Sequence, residues 1–431
     1  MNQYYKGGII MAKKRNTIKT KRRNIIVGQS GGPTSVINSS LAGVYKTAKE
    51  RGFHTIYGMR YGIQGFLDEQ YVDLSTQIHS DMDIELLKRT PSAFLGSCRY
   101  KLPEIHEDPE IYEKIFCILD KLEIEAFIYI GGNDSMDTIK KLSDYAIIKG
   151  HTQKFLGVPK TIDNDLALTD HTPGFGSAAK YIAASTKEII RDALGLSYNK
   201  KNITILEIMG RNAGWLTGAT ALAKTEECEG PDLIYLPEVI FDIDNFLKKV
   251  GELLKKKNSV VIAVSEGIKL ADGRYVCELS GGADYVDAFG HKQLQGTAAY
   301  LASFLGAELN CKTRSIEFST LQRSASHMAS RVDIDEAFMV GGAAVKAADE
   351  GDTGKMVVID RVADDPYMSA AGIYDVHRIA NNEKLVPRDW VNKEGNYITD
   401  EFINYIEPLI QGDYQPFMVN GLPQHLVLNK K

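Results

Sequence analysis

The sequence predicts an α/β protein of two domains, whose mostly parallel sheets face each other across a cleft. Three observations predict it. Short apolar runs alternate with helical segments along nearly the whole chain, the pattern of βαβ units. Several of those runs stop at a glycine-bearing turn carrying Ser, Asp, Asn, Arg or Glu, and open sheets bind ligands at that end of their strands. At 431 residues the chain exceeds one ordinary domain, and its two halves share a similar strand–helix rhythm without any short solenoid repeat.

In order, the basic segment 1–23 lacks the apolar core of a signal peptide and reads as a flexible arm, or as residues preceding a true start at Met11. "NIIVG" (24–28) reads as a buried strand, followed by a glycine turn and a helix that Ser30 or Thr34 is placed to cap. "FHTIYGM" (53–59) and "EAFIYIGG" (125–132) are the next strands, the latter running into the helix "DSMDTIKKLSDYA". After the strand "FLGV" (155–158) comes the polar stretch "PKTIDNDL", then a helix from Ser177 to Arg191. "NITILEIMG" (202–210), "DLIYLPE" (232–238) and "SVVIAVSEG" (259–267) repeat the strand pattern. Segment 290–309 is mostly helical, 312–331 a strand carrying Arg314 and ending near Arg323, "DIDEAFMVGGAAVKAADEG" a helix and "KMVVIDR" a strand. The tail, with Trp390 and paired tyrosines and prolines, is less regular and is expected to wrap the second domain.

Composition excludes several classes. Hydrophobic content of 44% and charged content of 25% are ordinary for a globular protein, and a net charge of −5 offers no general attraction for nucleic acid. No apolar run approaches the roughly 20 residues of a membrane span. Five scattered cysteines (98, 117, 228, 277 and 311), with no C-x-x-C pair, read as reduced thiols of a cytoplasmic protein.

The chemistry is placed at Val158–Leu166. Lys160, Thr161, Asp163 and Asp165 fall within six positions at a strand's carboxyl end. In extended backbone Asp163 and Asp165 face the same side, and two carboxylates beside a cation suit a metal-assisted proton abstraction. An Asp-rich turn satisfying its own amides is the alternative reading of the same residues. "GQSGG" (28–32) before a helix is neither a Walker A loop nor G-x-G-x-x-G, yet its amides suit an anion. Asn133 and Asp134 begin the helix after "IGG", where an acidic residue also simply favours the helix dipole. Arg211 in "IMGRNAGW" is placed to grip a phosphate, and Glu266 in "VSEG" to accept hydrogen bonds from sugar hydroxyls or to cap a helix. Arg314 and Arg323 add two cations nine residues apart.

Taken together and in order, "GQSGGPTSVINSS", "LGSCRY", "IGGNDS", "PKTIDNDL", "IMGRNAGW", "SEG" and "TLQR" resemble the phosphofructokinase A family. The resemblance runs from about Asn24 to about Lys355, and within the family it points to the pyrophosphate-dependent branch. Two positions carry that distinction. Asp134 and Lys160 stand where ATP-using members have glycine. A carboxylate at Asp134 repels the α-phosphate of a nucleotide, and Lys160 supplies a cation for the departing phosphate.

The resemblance implies Rossmann-like three-layer domains: a phosphoryl-donor domain of residues 24–174 plus about 322–372, and a fructose 6-phosphate domain of 175–321 plus about 373–431. It implies in-line phosphoryl transfer from pyrophosphate to fructose 6-phosphate with Mg²⁺ as cofactor, and a homodimer. Asp163 is the expected base, Asp165 its support or the metal's. Thr161 and Arg211 steady the transferring group, while Gly31 and Arg99 meet the donor. The expected sugar-phosphate residues are Thr161, Ile162, Asp163, Met209, Gly210, Arg211 and Glu266, with Thr320, Leu321, Gln322, Arg323 and Arg314; the two arginines take the 6-phosphate. Three departures stand out: Asn133 replaces the family's metal-site aspartate, Thr320 replaces a common histidine, and Asn202 replaces an arginine that tetrameric members offer a neighbouring subunit. An ATP-dependent enzyme and a non-catalytic sugar-phosphate sensor are the alternatives; an intact Asp163 beside Lys160 argues against the sensor.

Overall fold

The computed structural model describes residues 23–280 and 294–429. The basic arm expected at 1–23 therefore lies outside the described residues except for Arg23, as do 290–293 of the helix expected at 290–309. Among the described residues, eleven strands form two sheets. The first joins β1 (Asn24–Gln29), β2 (Thr55–Met59), β3 (Tyr71–Asp73), β4 (Ile124–Gly131), β5 (Lys154–Pro159), β10 (Lys355–Asp364) and β11 (Tyr367–Asp375) in the order β11-β10-β5-β4-β1-β2-β3. Its five central strands run parallel, and β3 and β11 close the edges antiparallel. The second sheet is wholly parallel, in the order β7-β8-β6-β9, from β6 (Asn202–Ile208), β7 (Leu233–Tyr235), β8 (Ser259–Ser265) and β9 (Lys312–Glu317). A two-stranded hairpin, β12 (Met418–Val419) and β13 (Leu422–Pro423), lies in the tail.

Side-chain alternation makes each sheet the middle of three layers. On β1, Ile25 and Val27 enter one core while Ile26 enters the other. On β8, Val260, Ile262 and Val264 face one side, and Val261 and Ala263 the opposite one. Burial on both faces explains why these strands read as continuous apolar runs. The helix Ile37–Glu50 crosses the helix Arg331–Asp349 at glycines: a Cβ on Gly43 would stand 2.1 Å from the Phe338 carbonyl oxygen, and one on Gly341 2.1 Å from that of Ser40.

Several local expectations are refined. Neither Ser30 nor Thr34 caps the first helix, which begins at Ile37 behind Val36; the Thr34 hydroxyl instead accepts from the Val36 amide at 3.3 Å. The strand expected over 312–331 ends at Glu317, because Ser319 takes a positive φ of 42° and Leu321–Ser324 coils into a short helix. The tail divides its packing. Val376, Ile379 and Ala380 join the core of the first sheet, Val386, Val391, Ile398, Phe402, Ile406 and Leu409 that of the second, and Leu426 and Leu428 return to the first.

Candidate active site

Each sheet presents its strand ends to a cleft of about 680 Å³. From the first sheet come the turn after β1, the start of the helix Asn133–Lys149 after β4, and the loop after β5. From the second come the loops after β6 and β8 and the short helix after β9. This is the carboxyl end of every strand concerned, where the parallel topology aims loops and helix N-termini at a ligand.

Lys160 is buried, 3% exposed, with its amide donating to the Gly131 carbonyl at 3.0 Å and its ammonium to the Gly32 carbonyl at 2.7 Å. Through its amide and its ammonium, Lys160 thus ties the loop after β5 to the end of β4 and to the turn after β1. Gly31 sits at φ +74°, and a Cβ there would come within 3.3 Å of the Lys160 Nζ, so glycine leaves the cation room. Burial, opposed by Asp163 and Asp165, lowers the lysine to about 8. It remains a cation at neutral pH.

The loop after β5 is not the extended segment that would place Asp163 and Asp165 on one side by alternation. The Thr161 hydroxyl accepts from the Asp163 amide at 3.0 Å, and Asn164 turns left-handed at φ 55°. Asn164 is fully buried: its amide donates to the Tyr405 hydroxyl at 2.9 Å and its carbonyl accepts from the Thr172 amide at 3.1 Å. An anchored Asn164 between them sends both carboxylates into the cleft by a turn rather than by pleating. Burial raises the Asp163 carboxyl, with Lys160 and Arg211 opposing. Burial and then the charge of Asp163 push Asp165 up to about 7.

Ile162, Met209 and Arg211 share this cleft, as do Asn133, Asp134, Arg99, Glu266 and Arg323. Burial and then the neighbouring Asp163 raise Glu266 to about 8, while the Gly210 amide, donating to it at 3.4 Å, opposes. Burial and then Arg99 lower Arg323, whose guanidinium would lie 3.1 Å from a Cβ on Gly32. The arginine therefore reaches from the second sheet's side to the turn after β1. Cations and carboxylates from both halves converge on one space.

Other expected residues stand behind the cleft. Gly210, at φ +144°, accepts from the Ser265 hydroxyl. Gln322 is buried and accepts from the Met209 amide at 3.4 Å, so it holds the loop that lines the cleft. Thr320 and Leu321 are exposed on the short helix. Arg314 is not brought to the cleft: it lies on β9, the exposed edge of the second sheet, 3.5 Å from Asp192 beside a separate hollow.

Three lining residues, Lys101, Asn381 and Glu383, lie outside the expected motifs. Asn381 and Glu383 come from the irregular tail, and Glu383 accepts from the Asn212 amide at 3.1 Å. Nothing in "NNEK" announces the two from the tail.

The buried Oδ1 atoms of Asn133 and Asp165 have no hydrogen-bond partner among the described residues. Two orphaned oxygens in one cleft fit a hard divalent cation that keeps water and phosphate oxygens as its remaining ligands. Among the described residues no group of three or more His, Cys, Asp or Glu could hold a metal by itself.

Similar proteins carry the same organisation. The sequence model of the family described as phosphofructokinase matches residues 24–348. A pyrophosphate–fructose 6-phosphate 1-phosphotransferase of Halomonas elongata is 40% identical over 411 residues, spanning 95% of this chain and 97% of the relative. One of Xanthomonas campestris is 41% identical over 406 residues, spanning 94% and 96%. The crystal structure of a pyrophosphate-dependent phosphofructokinase from Nitrosospira multiformis superposes with a TM-score of 0.84 at 37% identity, covering 95% of this chain and 98% of that one. With two sheets facing across a charged cleft, and with sequence likeness running through both of them, the chain belongs to the phosphofructokinase family.

Proposed function

We propose that this chain transfers a phosphoryl group from inorganic pyrophosphate to the 1-hydroxyl of fructose 6-phosphate, giving fructose 1,6-bisphosphate and phosphate. It is a diphosphate–fructose-6-phosphate 1-phosphotransferase serving glycolysis and gluconeogenesis, and it runs in both directions because the two phosphoryl bonds differ modestly in transfer potential. The observation that carries the reading is the meeting of Asp134, Lys160 and Asp163 in one cleft. The names of the Halomonas and Xanthomonas relatives support it.

Asp163 takes the proton of the 1-hydroxyl as that oxygen bonds to the attacked phosphorus. The bridging P–O bond breaks and its electron pair leaves with phosphate, whose growing charge faces the Lys160 ammonium. The Thr161 hydroxyl accepts from the Asp163 amide, which leaves its own proton to donate to the transferring group alongside Arg211. Arg323 takes the 6-phosphate and Glu266 a sugar hydroxyl. Asp134 occupies the ground into which a nucleotide's α-phosphate would extend. Mg²⁺, which Asn133 and Asp165 would hold, neutralises the phosphoryl oxygens when bound. In this reading the first sheet's half holds the donor and the second's the sugar phosphate, and the enzyme works as a cytoplasmic homodimer. No helix among the described residues is long and apolar enough to cross a membrane.

The test is a donor assay with purified protein: rapid turnover with pyrophosphate and little with ATP is expected, and the reverse result overturns the reading. Asp163→Asn separates catalysis from sensing. A fall in kcat of about 10²–10⁴ with little change in the sugar KM is expected of a lost general base.

A further inference from the structure

The tail segment 381–386 lies beyond residue 348, where the family match ends. It nevertheless touches the catalytic loop along its length. Glu383 bridges Leu166 in antiparallel fashion, and the Lys384 amide donates to the Asp165 carbonyl at 2.8 Å. The Lys384 ammonium donates to three oxygens: the Asp170 carbonyl at 2.6 Å, the Thr169 carbonyl at 3.2 Å and the side-chain carbonyl of Asn164 at 3.2 Å. Three donors meet three acceptors, which saturates the ammonium. Trp215 fixes the segment from the second sheet's side, its indole donating to the Lys384 carbonyl at 2.9 Å while the ammonium stands 5.3 Å from the ring centroid.

The same segment also reaches the two flanks of the cleft. The Asn133 amide donates to the Asn382 carbonyl at 3.2 Å, and Asn212 donates to Glu383. Residues from the donor side, the catalytic loop and the sugar side are thus tied to one short piece of chain.

We infer that Asn382–Lys384 is a strap that sets the aim of the catalytic loop, with Lys384 a positioning residue acting through Asn164 on Asp163. Asn164 stands at the left-handed turn of that loop, and the direction of Asp163 depends on the turn being kept. Removing the ammonium takes a donor from the Thr169 carbonyl and leaves the Asp170 carbonyl to the Tyr405 hydroxyl and the Asn164 oxygen to the Thr172 amide, so the turn loses one of its anchors. A purely structural lysine would change how much enzyme is folded. A positioning lysine changes the rate per folded molecule.

The inference rests on Asp163 being the base, and the experiment keeps the two apart. Lys384→Met, Asp163→Asn and the double variant are compared by melting temperature and by kcat and KM for both substrates. Displacement of a reacting group by about 1 Å costs on the order of 10²-fold in rate. Lys384→Met is expected to lose kcat by about that factor while both KM values stay within about threefold. In the Asp163→Asn background the same change is expected to cost nothing further, since the base it aims is already gone. A kcat within threefold of wild type, or an equal loss in both backgrounds, overturns the strap. An unchanged rate in Asp163→Asn alone overturns the base assignment instead. Where Lys384→Met does not fold, Lys384→Arg decides: it keeps the charge but spreads its donors over a planar fork that cannot match three converging oxygens. A lowered kcat at unchanged KM supports the strap, and a wild-type kcat overturns it.

Discussion

In the proposed reading Lys160 and Asp134 divide the choice of phosphoryl donor between them, and that division has consequences that can be measured one residue at a time. Lys160 is nearly sealed from water, held at 2.7 Å by the Gly32 carbonyl, and close enough to Asp163 and Asp165 for each to act on its charge. A cation in that setting acts on the departing phosphate with little solvent screening. Lys160→Met is expected to lower kcat with pyrophosphate by about 10²–10³, read by steady-state assay beside a melt to confirm folding. In the same reading Asp134 excludes the nucleotide. Asp134→Gly is expected to improve ATP turnover only slightly, because Lys160 still occupies the space in which ADP would leave. Full ATP activity in Asp134→Gly would show that the carboxylate alone decides the donor. These motif residues lie within a few positions of a buried strand's end, but alone they left bland readings open, Asp134 that of a helix-start charge; their order and company along the chain, which resemble the phosphofructokinase family, made them legible. Asn164 was not legible as an anchor. Its partners Tyr405 and Lys384 stand 241 and 220 residues away, and no local pattern reports such a contact.

Between elements, a buried ionic cluster locks the loop that follows the catalytic stretch to the first sheet. His171 is 1% exposed, with Nδ1 2.8 Å from Asp170 and Nε2 2.6 Å from Glu336 on the helix Arg331–Asp349. Arg361 of β10 pairs with the same Asp170 at 3.0 Å, and the Tyr367 hydroxyl of β11 donates to Glu336 at 2.6 Å. Burial opposes the histidine's charge, but Glu336 and Asp170 outweigh it and raise His171 to about 9. A group raised in the folded state gives stability that is fully present below its unfolded value, near 6.5, and is lost as pH rises through its folded value. Wild type should therefore exceed His171→Gln in stability most at pH 6, with the gap narrowing by up to about 3 kcal/mol by pH 9. Denaturant melts across that range check it, and a gap that widens with pH contradicts the assignment. The helix crossing makes a second, independent demand. Gly43→Ala would drive a Cβ into the Phe338 carbonyl, which can yield only by moving a helix, so a loss of about 1–3 kcal/mol is expected. Central strands were read from their apolar runs, whereas β11 was not read. Its residues alternate between half-buried and exposed on an antiparallel edge, and small residues at its middle leave no apolar signal.

At the scale of the whole molecule, the cleft's charge is assembled from both sheets, and this ties substrate binding to the relation between the two halves. Arg99 and Lys160 come from the first sheet's side and Arg211 and Arg323 from the second's, and all four line the cleft. These cations oppose one another: beside burial, Arg323 and Arg99 lower Lys160, and Arg99 lowers Arg323. Two-domain architecture was readable from the repeated strand–helix rhythm. The sharing of the cleft by a tail that crosses between cores was not, because that packing belongs to no periodic element. A substrate pair filling the cleft supplies negative charge to both walls at once, so it is expected to stabilise the fold beyond what either ligand does alone. The slow Asp163→Asn variant allows the measurement without turnover. Each ligand at about 100 times its Kd contributes on the order of 2.7 kcal/mol, and for a chain of this size that moves the melting temperature by a few degrees. Melts with Mg²⁺-pyrophosphate, with fructose 6-phosphate and with both are therefore expected to rise in that order of occupancy, the pair giving at least the sum of the single shifts. A combined shift no larger than the greater single one would mean that the two ligands do not share a cleft built by both halves.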